Sequence, residues 1–147
     1  MKTLLSLVVP FALVASIHAE DEQGVQELGK TYVKLFNAGK VSELMSHCLD
    51  QTGVTEEMKA MTQAALGDGG TISRFELEEP KEKDKALFSE GQDVPGYGRL
   101  FLNLEPQKVI VFHMEAKGGR PASSQRSLAG KMDGKWKLAM LVPQKKG

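Results

Sequence analysis

His113 and Glu115 are the residues best spaced for chemistry. They stand two positions apart in a run that alternates like a strand, so both side chains face the same way. An imidazole beside a carboxylate can move a proton, and a small organic substrate would suit an isomerase-, cyclase- or hydratase-like reaction. For that, one of the two must point inward. The competing reading is a solvated outer strand face carrying a half-exposed histidine. His47 and Cys48 are adjacent on a helical pattern, which turns their side chains about 100° apart and works against a thiolate–imidazole couple. Cys48 reads as a small buried hydrophobe.

Other chemistries lack their residues. No paired cysteines, zinc-helix motif or facial triad is present, and no metal or cofactor is expected. Gly39-Lys40 has Lys34, not glycine, five positions before Gly39, so it is no phosphate loop. Gly67-Asp68-Gly69-Gly70 follows a helical pattern and reads as its stop. A Gly-x-Ser-x-Gly elbow is absent.

The first nineteen residues carry an address. Lys2 precedes an apolar run from Leu4 to Ala15, and Ile17-His18-Ala19 offers a cleavage point before Glu20-Asp21-Glu22. This is the pattern of a signal peptide over residues 1–19, with Glu20 as the first mature residue and a secreted or periplasmic destination. The apolar run is too short to anchor in a membrane, which takes about 20 residues. Removal of nineteen residues from 147 leaves 128, a single domain over 20–147. Lys2 is the only charge lost, so 19 basic and 19 acidic residues become 18 and 19. A near-neutral chain has no overall field to gather nucleic acid, and Lys145-Lys146 is too short for a polybasic anchor.

The elements that must position the candidates follow from periodicity. Val25, Leu28, Tyr32, Leu35 and Phe36 form one helical stripe, ended by Asn37-Ala38-Gly39 with Gly39 suited to a left-handed cap. Val41, Leu44, Met45, Cys48 and Leu49 make a second, with Ser42 placed to cap its first turn. Val54, Met58, Met61 and Ala65 make a third, starting near Thr55. From Thr71 the period becomes two: Ser73, Phe75 and Leu77 alternate with Ile72, Arg74 and Glu76. Pro80–Lys85 reads as a charged, solvated loop and Gly91–Gly98 as a loop or flap. Strands follow at 99–104, 108–117, 123–132 and 135–142, with Glu105-Pro106-Gln107, Gly118–Pro121 and Asp133-Gly134 between them. Asp133-Gly134 is a two-residue turn signal that pairs Lys131 with Trp136, Ala129 with Leu138 and Ser127 with Met140. Trp136, Leu138, Met140 and Val142 then share an apolar face that meets the helices and buries Trp136. Ile110, Phe112, Met114 and Ala116 do the same on the preceding strand, leaving Val109, Val111, His113 and Glu115 outward. Met45, Met58, Met61, Met114 and Met140 read as core.

Helices followed by an antiparallel meander define an α+β fold, with N-terminal helices packed on a curved antiparallel sheet. The segment Leu35-Phe36-Asn37-Ala38-Gly39-Lys40 with Val41-Ser42-Glu43-Leu44, and the closing Lys131-Met132-Asp133-Gly134-Lys135-Trp136-Lys137-Leu138, resemble the opening and last hairpin of nuclear transport factor 2-like domains, including polyketide-cyclase-like members. The resemblance implies a cone-shaped, cystatin-like arrangement whose mouth takes a small ligand, often without catalysis. This chain lacks the Asp–His and Tyr–Asp acid–base pairs of enzymatic members at matching motifs. The expected pocket is lined by Tyr32, Phe36, Phe75, Ser127 and Met140, with Gln125 near the mouth. A small apolar ligand is the expected partner. A homodimer through the outer sheet face is the interaction-module alternative.

Overall fold

The computed structural model describes residues 2–144, with side chains from Glu20 onward. The expected leader falls on residues whose side chains lie outside those described, as does the Lys145-Lys146 tail. Among the described residues, four helices and seven strands run in the order α1 (Lys2–Asn37), α2 (Val41–Cys48), α3 (Glu56–Gly67), β1 (Ile72–Glu78), α4 (Glu82–Ser89), β2 (Gln92–Val94), β3 (Gly98–Leu102), β4 (Lys108–Met114), β5 (Ser123–Met132), β6 (Lys135–Leu138) and β7 (Leu141–Val142). The architecture is α+β, with helices preceding antiparallel sheets. Among the described residues, no helix is long and apolar enough to cross a membrane.

Two sheets form, β1-β4-β5-β6 and β2-β3-β7. The α1 stripe buries Val25, Leu28, Tyr32 and Leu35 against Ile110 and Phe112 of β4, and α2 adds Leu44, Met45 and Cys48 to the same core. Gly39 ends α1 with φ 71°, a conformation open to glycine at little steric penalty. Thr55 caps α3 by accepting from the Met58 N–H at 3.2 Å. Asp133 and Gly134, at φ 51° and 78°, make the tight turn between β5 and β6. The register pairs Lys131 with Trp136 and Ala129 with Leu138, as the turn requires.

Several expectations are corrected. Ser42 is no cap, because α2 begins at Val41 behind Lys40 and has no side-chain cap. A bulge at Ser73 between Ile72 and Arg74 shifts the register of β1, so Ile72 joins Phe75 and Leu77 on the core side instead of facing away. Pro80–Lys85 is not a solvated loop: it leads into α4, where the Asp84 carboxylate accepts from the Lys81 N–H at 2.7 Å and is buried. Gly91–Gly98 is not a loose flap. Pro95 and Gly96 form a turn closed by Tyr97 N–H to Val94 C=O at 3.0 Å, and β2 pairs with β3. Met61 lies exposed on α3, outside the core. Trp136 is half-buried, packed over Gly24 of α1, with Lys131 Nζ 5.5 Å from its ring centre.

The last strand departs most. Pairing with β5 ends after Ala139, whose N–H reaches the Leu128 carbonyl at 2.8 Å. The chain then joins β3 as β7, so Met140 does not pair with Ser127. Asn103 is the cause. Its buried side chain accepts from the Met140 N–H at 2.9 Å and donates to the Asp50 and Thr52 carbonyls at 2.7 and 3.1 Å.

Candidate functional site

Where the final strand leaves β5, a cavity of about 620 Å³ opens between α3, the edge of β5 and the Leu138–Leu141 segment. Tyr32 and Phe36 enter from α1 because they lie four apart on its buried stripe. Tyr32 stacks on Phe112 at 4.4 Å between ring centres, and on Phe36 at 6.0 Å. Gln125 and Ser127 come from β5, opposite Phe112 and Ile110, and Met140 from the departing segment.

Five of the six expected pocket residues, Tyr32, Phe36, Gln125, Ser127 and Met140, therefore line one cavity. Phe75 is not among them. Its ring fills the space over Gly29, where a Cβ would stand 2.5 Å away, and packs toward Phe112 at 6.1 Å.

Polar side chains join the apolar lining, among them Thr62, Ser123, Gln125, Arg126 and Ser127. Tyr32 is only 2% exposed. Burial first, and then the neighbouring Cys48, pushes its pKa up to about 12, so it stays a neutral phenol. Gln125 Nε2 and Ser127 Oγ stand 3.5 Å apart, a weak contact that leaves both available. The roof is α3, which buries none of its side chains and offers Met58, Ala65 and Leu66 to the cavity. Arg120 and Asp68, paired at 2.8 Å, stand at the rim.

Sequence reasoning missed Arg126 and its partner. Arg126 lines the cavity and makes two bonds to Asp84 at 3.0 and 3.1 Å. That guanidinium holds the Asp84 carboxyl below its ordinary range. A faint signal existed in Pro80 followed by acidic residues, the usual opening of a helix. Asn103, which opens the cavity, was visible only as one polar residue inside the apolar run Leu100–Leu104.

His113 lies on the opposite face of the sheet. Its Nδ1 meets Ser124 Oγ at 2.9 Å, and Nε2 lies 3.2 Å from Glu76 Oε1, off-line for a hydrogen bond. Arg74 also binds Glu76 and is the main cause of that carboxyl's lowered pKa. Among the described residues no hydrogen bond or ion pair joins His113 to Glu115. Val109 and Val111 on that face are buried, and α4 reaches it through Asp84, leaving the Arg74–Glu76–Ser124 end exposed.

Burial also pushes the Cys48 thiol up to about 11, against the opposing pull of Lys137. A thiol so raised is a poor nucleophile. Among the described residues, no group of three or more His, Cys, Asp or Glu could hold a metal ion. No family model, curated protein or solved structure matches the chain.

Proposed function

We propose that the chain is an exported domain that binds an apolar or weakly polar small molecule in this cavity, without catalysis of its own. One observation carries the reading: a single cavity of about 620 Å³ gathers the rings of Tyr32 and Phe36 and the apolar Met58, Leu66 and Met140 together with Gln125 and Ser127. A few hydrogen-bonding groups converging in an apolar space of 300–1,000 Å³ is the usual form of a small-molecule site. The order of helices and strands, with the Asp133-Gly134 hairpin, supports a nuclear transport factor 2-like, cone-shaped arrangement. Export rests on Lys2, the apolar run and Ala19; an intact-mass measurement on exported protein should give Glu20 as the first residue, and a retained Met1 would remove it.

Acid–base catalysis by His113 and Glu115 is the weaker reading. The two are not joined, and His113 turns its nitrogens to Ser124 and Glu76 on the face away from the cavity. A thermal-shift screen of small apolar compounds tests the binding reading. A ligand at 100 times its dissociation constant stabilises by about 2.7 kcal/mol. Hits should weaken in Ser127→Leu and Gln125→Leu, and hits indifferent to both would place binding elsewhere.

A further inference from the structure

We infer that the guest of this cavity is a short extended peptide, held as an added strand on the unpaired edge of β5. The inference rests on the cavity being the binding site and names the class of its ligand.

Antiparallel strands alternate, residue by residue, between pointing their N–H and C=O groups to one neighbour and to the other. Asp133-Gly134 closes its turn with Met132 opposite Lys135, and the Ala139 N–H bonds the Leu128 carbonyl. Even-numbered residues of β5 therefore face the β6 side, and odd-numbered ones face β4. From Leu128 back to Ser123, no strand of the described residues stands on the β6 side. The N–H and C=O of Ser124 and Arg126, and the N–H of Leu128, have no backbone partner among the described residues.

Across the gap the same logic applies to β7. The Asn103 N–H bonds the Met140 carbonyl, so Met140 and Val142 face β3 and Leu141 turns its backbone groups away from it. Continued register would have placed Leu141 opposite Arg126. The two strands form a fork, and Arg126 and Leu141 both line the cavity between its arms.

An extended peptide matches this space in three ways. Its backbone supplies acceptors and donors at the two-residue repeat of the β5 edge. Four residues span about 13 Å, the rise from Ser124 to Leu128 at about 3.3 Å per residue. Its side chains alternate to two sides, and the cavity has apolar walls on both: Tyr32 and Phe36 from α1, and Leu87 from α4 on the outer side. A hydrocarbon would fill the walls and leave the edge unpaired.

The test uses the full mature protein and acetyl-Leu-Ala-Leu-Ala-amide, a version with every backbone nitrogen methylated, and decanol as an apolar control without amides. The peptide should bind, the methylated version should bind at least tenfold more weakly, and amide hydrogen exchange at Ser124 and Arg126 should slow at least tenfold with the peptide bound. Ser124→Pro removes one edge donor that no ladder bond uses and should weaken the peptide, whereas Ser124→Ala should not. Equal binding of the methylated peptide, or unchanged exchange at Arg126, overturns the inference. Decanol binding without peptide binding also overturns it, yet leaves the small-molecule reading standing. Binding by neither removes both.

Discussion

β5 changes partners halfway, and its two vacated sides are treated in opposite ways. Ser123–Ala129 pairs with β4 and Ala129–Met132 with β6. Where β4 has ended, the connector bonds the Ala129 carbonyl through the Gln107 N–H at 2.8 Å and crosses over the face of Gly130 so closely that a Cβ there would stand 2.5 Å from the Glu105 carbonyl oxygen. Beside Ser124–Leu128, where β6 has left, there is a cavity. One connector does both. Glu105 seals one side, and Asn103, two residues earlier, draws Met140 away from the other. A strand side is sealed when the connector bonds its free carbonyl and crosses closely over a glycine, and opened when a side chain captures the neighbour's N–H.

Removing the side chain that opens the fork should have the largest effect. Asn103→Ala strands the Met140 N–H and the Asp50 and Thr52 carbonyls away from their partners. Each unsatisfied buried polar group costs about 1–3 kcal/mol, so a loss of about 4 kcal/mol is expected from urea unfolding. A loss under 1 kcal/mol would mean that Asn103 does not hold β7 on β3.

Next is the anchor of the open half. Arg126 sits on the unpaired stretch and is tied to α4 by the Asp84 carboxylate, whose side chain is 4% exposed. Breaking a buried pair is costly, and because Arg126 keeps some solvent the lower end applies to Asp84→Ala, about 3 kcal/mol at pH 7. The pH dependence has a definite sign. The folded-state pKa of Asp84 is depressed by Arg126, so the stabilisation is complete above the unfolded carboxyl value of about 3.9 and disappears as pH falls below it toward the folded value. The stability gap between the wild type and Asp84→Ala should narrow from pH 6 to pH 3; a constant gap would assign the effect to packing.

On the sealed side, Gly130→Ala pushes a methyl group against the Glu105 backbone, which has no rotamer to yield. Overpacking of this kind costs typically 1–3 kcal/mol, and about 2 kcal/mol is expected in the unfolding midpoint. If the variant is as stable as wild type, the connector is loosely held and neither side of β5 is tightly sealed.

The parts of this contrast differ in how far they can be read from sequence. Helix stripes and the β5–β6 register are local: Val25, Leu28, Tyr32 and Leu35 repeat at helical spacing, and Asp133-Gly134 sets which residues pair. The pocket residues were legible for the same reason, since faces follow from periodicity. Phe75 failed because the room above Gly29, which its ring occupies, depends on how α1 approaches β1. The bulge at Ser73, the burial of Asp84 and the capture of Met140 by Asn103 are long-range events. Asp84 meets a residue 42 positions away and Asn103 one 37 away, and no spacing within either segment announces its partner. The fork is thus the least legible feature and the one on which the cavity depends.

The smallest effect on stability is expected at Ser127, and it separates an open wall from a closed one most directly. Ser127 faces the cavity beside Ile110, and its hydroxyl is touched only weakly, by Gln125 at 3.5 Å. If this were packed core, Ser127→Leu would add methylenes where none fit and lower stability by about 1–3 kcal/mol. The cavity has room for the larger side chain, and no strong hydrogen bond is lost. The melting free energy should therefore stay within about 0.5 kcal/mol of wild type, as for a surface change. Guest binding should fall in the same variant, because the new side chain occupies the guest's space and removes a hydroxyl from its wall. A protein that melts normally and no longer takes the guest places the guest in the fork. Loss of stability beyond about 1 kcal/mol would instead show that the wall at Ser127 is already filled and that both sides of β5 are closed.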